Sequence, residues 1–193
     1  MSSNHHILHA AKELVETLNK AVDDNLPTEI ADIVKTHSAG AAAASVAAGW
    51  IPGAGGLAAA GICAAFLWTM YGRINSKIGL PLTENIVKSL ATGVATNLAS
   101  AFAGALVLGT IFSIFPGIGS FAAATIAGAT GYALTLASGY VYLKLLTKLF
   151  LAGTDPTKMD ERSLREAASS VAASENMKDV ISSAKADYKP SSK

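Results

Sequence analysis

Residues 36–72 and 89–143 contain no Lys, Arg, Asp or Glu, and the second of these stretches is 55 residues long. Surface elements of a soluble domain carry charge to stay hydrated, so uncharged runs of this length predict helices whose surroundings are largely lipid. Ahead of them, residues 5–37 follow the three-to-four spacing of an amphipathic helix. Ile7, Leu8, Ala11, Leu14, Val15, Leu18 and Val22 fall on one face, and Lys12, Glu13, Glu16, Asn19 and Lys20 on the other. Asp23-Asp24-Asn25 interrupts that pattern, and Pro27 suits the first turn of a second, short helix carrying Ile30, Ile33 and Val34. The mixed, acidic polar face suits packing against another helix better than a membrane surface.

Residues 38–72 form a first apolar unit. Pro52, flanked by Gly49, Gly53, Gly55 and Gly56, must interrupt any helix there. The arms come out unequal, at about 13 and 17–19 residues, or ~20 and ~27 Å of helix. Residues 73–88 are a charged connector in which Gly79-Leu80-Pro81 ends one helix and Thr83 caps the next. Residues 89–151 form a second apolar unit broken at Phe115-Pro116-Gly117, with arms long enough to span a bilayer. A polar tail, residues 152–193, begins a helix at Asp155-Pro156 and ends in a disordered Lys-Pro-Ser-Ser-Lys.

The two apolar units resemble one another. With Pro52 set against Pro116, Gly53 meets Gly117, Gly55 meets Gly119, and Ala58-Ala59-Ala60 meets Ala122-Ala123-Ala124. This predicts a duplicated helical hairpin with Pro-Gly tips, of the kind that packs about a pseudo-two-fold axis. Small residues recur every four positions at Ala101, Ala105, Gly109 and Ser113, and again at Ala123, Ala127, Gly131, Thr135 and Gly139. In lipid, such stripes let helix backbones touch, within one subunit or between the subunits of a homo-oligomer.

Composition sharpens the picture: 51% of the residues are hydrophobic and 15% charged, against about 25% charged in ordinary soluble domains. The net charge of +1 gives no basic field for nucleic acid. The single cysteine, Cys63, excludes an intrachain disulfide and a cysteine-cluster metal site. No basic region followed by an apolar core marks the start as a secretory signal.

Candidate chemistry is sparse. Gly53-Ala54-Gly55-Gly56-Leu57-Ala58 has the letters of a dinucleotide fingerprint, but a helix rather than a strand precedes it and no acid follows about 20 residues on. His5, His6 and His9 with Glu13 lack a well-placed fourth ligand, so no metal is expected there. No acid accompanies a serine and histidine in the apolar units. Asn97 is the main strongly polar side chain of the second unit and a candidate intramembrane hydrogen-bonding contact. No catalytic residue and no cofactor are expected.

His37-Ser38 before an Ala-rich run, then Ile51-Pro52-Gly53, Met70-Tyr71-Gly72-Arg73-Ile74 and Ile78-Gly79-Leu80-Pro81-Leu82, resembles the YcjF-like bacterial domain of unknown function. That domain contains a duplicated apolar unit and often accompanies a GTPase. The resemblance covers roughly residues 36–150. Gly55-Gly56 stands where the family commonly has an acid after Pro-Gly, and no GTPase domain is expected within these residues. It implies membrane association and a partner, a GTPase or another protein, and no catalytic residues.

The expectation is therefore an all-α, membrane-embedded protein with two Pro-Gly-tipped hairpins, in the bacterial inner membrane with both termini cytoplasmic. The favoured role is a non-enzymatic oligomeric scaffold that shapes the bilayer or recruits a partner through its polar ends. The alternative is a channel or pore former, including a toxin-like protein that is soluble until its hairpins insert.

Overall fold

The computed structural model describes residues 26–49, 55–94, 98 and 118–174, and these are all-helical, with no strand among them. Helix α1 is Leu26–Gly49, α2 is Gly55–Ile78, α3 covers residues 84–94, α4 is Ile118–Leu151, and α5 is Glu161–Ser174 after a 3-10 turn, Pro156–Lys158. At 34 residues, or about 51 Å, α4 is the axis on which α1, α2 and α5 pack.

Pro27 stands in the first turn of α1, as the sequence suggests, but this helix does not stop at the polar-to-apolar boundary. It runs unbroken through His37 and Ser38 to Gly49. Alanine is the best helix former, and a change in side-chain polarity gives the backbone no reason to break. Helices α1 and α2 are consequently 24 residues each, but their uncharged parts, residues 36–49 and 55–72, remain unequal. They run antiparallel: Glu29 pairs with Lys77 at 2.9 Å near one end, and Ser45 faces Cys63 near the other. That ion pair is half exposed and contributes little. Against α4, α1 is again antiparallel, with Val34 beside Gly139 and Ser45 beside Gly131.

Helix α2 ends at Gly79, whose φ of +68° is a left-handed conformation open to glycine, and the Leu80 amide reaches back 2.9 Å to the Asn75 carbonyl. Thr83 Oγ1 accepts from the Ile86 amide at 3.4 Å at the start of α3. The end of α4 repeats this device at Gly153, φ +67°, with the Thr154 amide on the Leu149 carbonyl. Asp155-Pro156 begins only the 3-10 turn, not the helix expected from sequence; the α5 helix starts six residues later. The reason is a second cap, because Asp160 accepts from both the amide (2.9 Å) and the hydroxyl (2.7 Å) of Ser163. Leu164, Ala168, Val171 and Ala172 then bury the apolar face of α5, and Arg162–Glu166 and Arg165–Glu161 pairs line its outer face.

Both caps make this corner acid-sensitive. Bonds from the Ser163 amide and hydroxyl lower the Asp160 pKa, and those from the Thr157 hydroxyl and amide lower that of Asp155. A carboxylate whose folded pKa lies below its unfolded value of about 3.9 stabilises the fold above that value, and the contribution is lost as pH falls through the folded pKa. Amide exchange in α5 should therefore rise below pH ~4. Asp160→Asn, which keeps an N-cap oxygen without the charge, should flatten that dependence. An unchanged acid response in this variant would show that other groups cause it.

Candidate functional site

Three helices meet around a line of buried polar groups. Helices α2 and α4 run parallel, so residues 67 apart become neighbours: Tyr71 Oη donates to the Ser138 carbonyl at 3.0 Å, and Tyr142 Oη donates to Asn75 Oδ1. The two tyrosine rings stack, with centroids 4.0 Å apart and planes inclined by 13°. The local reason is spacing. Tyr71 and Asn75 are four apart on α2, Ser138 and Tyr142 four apart on α4, so each pair occupies one helical face. Asn75 Nδ2, Ser138 Oγ and Thr130 Oγ1 are buried with no hydrogen-bond partner among the described residues. Deeper in, Cys63 Sγ lies 3.9 Å from Ser45 Oγ and 4.0 Å from the Gly131 carbonyl.

The residues facing α1 are smaller. A Cβ on Gly131 would collide with Ser45 Oγ, come within 2.9 Å of Ser45 Cβ and lie 3.0 Å from the Ala41 carbonyl. One on Gly139 would lie 3.0–3.3 Å from Val34 and Met70. Here α1 and α4 approach nearly backbone to backbone. His37 is buried and donates from Nδ1 to the Ile33 carbonyl at 2.7 Å; Ser38 likewise bonds its own helix at Val34.

Chemically, this line consists of phenols, hydroxyls, an amide and a thiol, with no carboxylate among them. Its bonds fix the register of α2 against α4. Among the described residues no group of three or more His, Cys, Asp or Glu is arranged to hold a metal. The charges are elsewhere: every Lys, Arg, Asp and Glu among the described residues falls in residues 29–35, 73–88 or 144–166. With α1 antiparallel to both α2 and α4, these segments gather at one end of the bundle. The opposite end carries no charge over residues 36–49, 55–72 and 118–143.

Of the residues singled out from sequence, Ala127, Gly131 and Gly139 are buried on α4, Gly131 and Gly139 against α1. Ala123 lies in α4, and Gly55 and Gly119 stand in the first turns of α2 and α4. Pro52, Gly53, Pro116, Gly117, Ala101, Ala105, Gly109 and Asn97 lie outside the described residues, as do His5, His6, His9 and Glu13. The tyrosine–asparagine ties are not among the residues that the sequence alone singles out. A signal existed in the paired four-residue spacings, but the offset that joins them belongs to the tertiary packing.

One stretch among the described residues, Ala124–Leu151, is long and apolar enough to cross a membrane, and 67% of its window is buried inside the protein. Compared with family models, curated proteins and solved structures, the chain shows no match.

Proposed function

We propose that this chain is a non-enzymatic, membrane-embedded scaffold. Its uncharged end sits in the bilayer of a bacterial inner membrane, and its charged end offers a cytoplasmic surface to a partner protein, a GTPase or another. The observation that carries the proposal is the axial segregation of charge. Helices α1, α2 and α4 each pass without a break from a charged segment into an uncharged one, and all three do so in the same direction along the bundle. A soluble bundle gains nothing from that arrangement, whereas a bilayer requires it. Phe150 and Leu151, 39% and 72% exposed at the charged end, give a partner an apolar foothold. Ala39, Ala43 and Ala47 leave an exposed face of small residues on α1 over which a homo-oligomer can form.

Cysteine accessibility tests the topology. On a Cys63→Ala background, Lys77→Cys and Lys158→Cys should both react with a membrane-impermeant reagent only after the cytoplasmic side is opened. Reaction of either from outside intact cells would overturn the orientation.

A second reading follows from the burial of Ala124–Leu151, because a toxin-like protein that inserts on demand stores its spanning helix inside a soluble bundle. Under the scaffold reading, reconstituted protein leaves small dyes inside liposomes. A detergent-free monomer that releases dye at low protein-to-lipid ratio would make the pore the better description.

A further inference from the structure

On four of the five helices the charge nearest the uncharged residues is a cation: Lys35 on α1, Arg73 on α2, Lys88 on α3 and Lys144 on α4; on α5 it is Glu166, next to Arg165, whose side chain lies against Gly93 of α3. Asp32 and Glu84 sit about one turn farther out, and α2 and α4 contain no acid at all. Along the bundle the four span about two to three turns. Val34 abuts Gly139 and Tyr71 bonds the Ser138 carbonyl, which sets Lys35 and Arg73 level with residues 138–140 of α4, about one to two turns from Lys144, while Lys88 stands at Trp68, about a turn or more beyond Arg73 toward the uncharged end. Lys88 Nζ lies 4.3 Å from the centroid of the Trp68 ring, and Lys144 Nζ 5.7 Å from that of Tyr140; both rings are half-buried. Lys35 and Arg73 are exposed and form no ion pair among the described residues.

We propose that these four cations, with Trp68 and Tyr140, form a collar that binds the phosphates of anionic lipids. The proposal rests on the membrane reading above. Long cationic side chains at the end of an apolar helix stretch their heads into the polar layer, and Trp and Tyr settle at the same depth. A protein partner would engage one side of the bundle, but the collar draws one cation from each of four helices, which suits a lipid annulus. The uncharged surface begins directly beneath it, where acyl chains would lie. The acids nearest this depth are paired, Glu84 with Lys88 at 2.6 Å and Glu161 with Arg165 at 2.8 Å, which limits their repulsion of the phosphates.

The test uses the full chain with vesicles of phosphatidylcholine alone or with one-third phosphatidylglycerol, and compares wild type with Lys35→Gln/Arg73→Gln/Lys88→Gln/Lys144→Gln. Wild type should favour the anionic vesicles by roughly tenfold or more, because each surface cation contributes about fivefold. Its thermal midpoint in neutral detergent should rise with added phosphatidylglycerol and stay put with inorganic phosphate, which separates lipid from free anion. The quadruple variant should still enter phosphatidylcholine vesicles and lose the preference. Should it misfold by circular dichroism, Lys35→Gln and Arg73→Gln singly decide the matter, with a loss of about fivefold each expected and no loss overturning the collar. Equal wild-type affinity for both vesicles would overturn the collar while leaving the membrane reading intact. So would an equal loss from Lys148→Gln/Lys158→Gln, at the charged end of α4 and in the turn beyond it. Failure of wild type to enter either vesicle would overturn the membrane reading and the collar with it.

Discussion

Replacing Gly131 by leucine should cost about 3 kcal/mol or more and detach α1 from α4. Even a methyl group at this position meets Ser45 Oγ, Ser45 Cβ at 2.9 Å and the Ala41 carbonyl at 3.0 Å. The hydroxyl can rotate away, but the Ser45 Cβ is fixed in place by the α1 backbone and the Ala41 carbonyl is part of it, so relief requires the whole helix to move. Gly131→Ala should therefore also destabilise, and Ser45→Ala in the same chain should recover only the part due to the hydroxyl. Gly72→Ala provides the contrast. It is an exposed helical site where an added Cβ meets nothing within 4 Å, so the change should stabilise by about 0.5–1 kcal/mol. Thermal unfolding in one detergent ranks the four variants. Wild-type size and stability for Gly131→Leu would mean that this face of α4 meets lipid and that α1 does not pack on it.

That contact shows where sequence reading succeeds and where it stops. The four-residue spacing through Ala127, Gly131 and Gly139 marks a face for close packing, because spacing along one helix is a local property. Its partner is not local. Small stripes read equally well as contacts within a subunit or between subunits, and only the tertiary arrangement sets Gly131 under Ser45. Helix ends behave alike. Pro27 and Gly79 are legible because proline and a left-handed glycine act through their own backbone. The join at His37-Ser38 is not, because there only side-chain polarity changes while the helical backbone continues. Asp155-Pro156 misleads for a related reason: it carries a real start signal, but a second cap at Asp160 takes over one turn later. Asn97 illustrates a different limit. Polarity inside an apolar run draws the eye, whereas the described polar ties, Tyr71, Asn75 and Tyr142, lie at or beyond the edges of those runs, and only Tyr142 of α4 lies in the longest one.

The second large effect is expected at that tie. Tyr142→Ala should cost about 3–5 kcal/mol, since it empties a fully buried ring site, removes the stack on Tyr71 and strands Asn75. Tyr142→Phe keeps the ring and isolates the hydrogen bond. It leaves Asn75 with neither Oδ1 nor Nδ2 partnered among the described residues, as Asn75→Leu in turn strands the Tyr142 hydroxyl. Each single change should destabilise, and the double variant should cost less than the sum, because it removes both orphaned groups together. The size of the coupling also bears on the two functional readings. In a water-solvated bundle, unfolding hands the stranded group to water, and one broken bond counts for about 1–3 kcal/mol. In a protein unfolding within lipid or detergent, the reference state finds other partners, and interhelical bonds average about 0.6 kcal/mol. A coupling near that lower figure, in a protein that needs detergent to stay dispersed, fits an embedded scaffold. A coupling of about 2 kcal/mol in detergent-free buffer would place Asn75 and Tyr142 in a soluble bundle, and α4 would then be a spanning helix held in reserve.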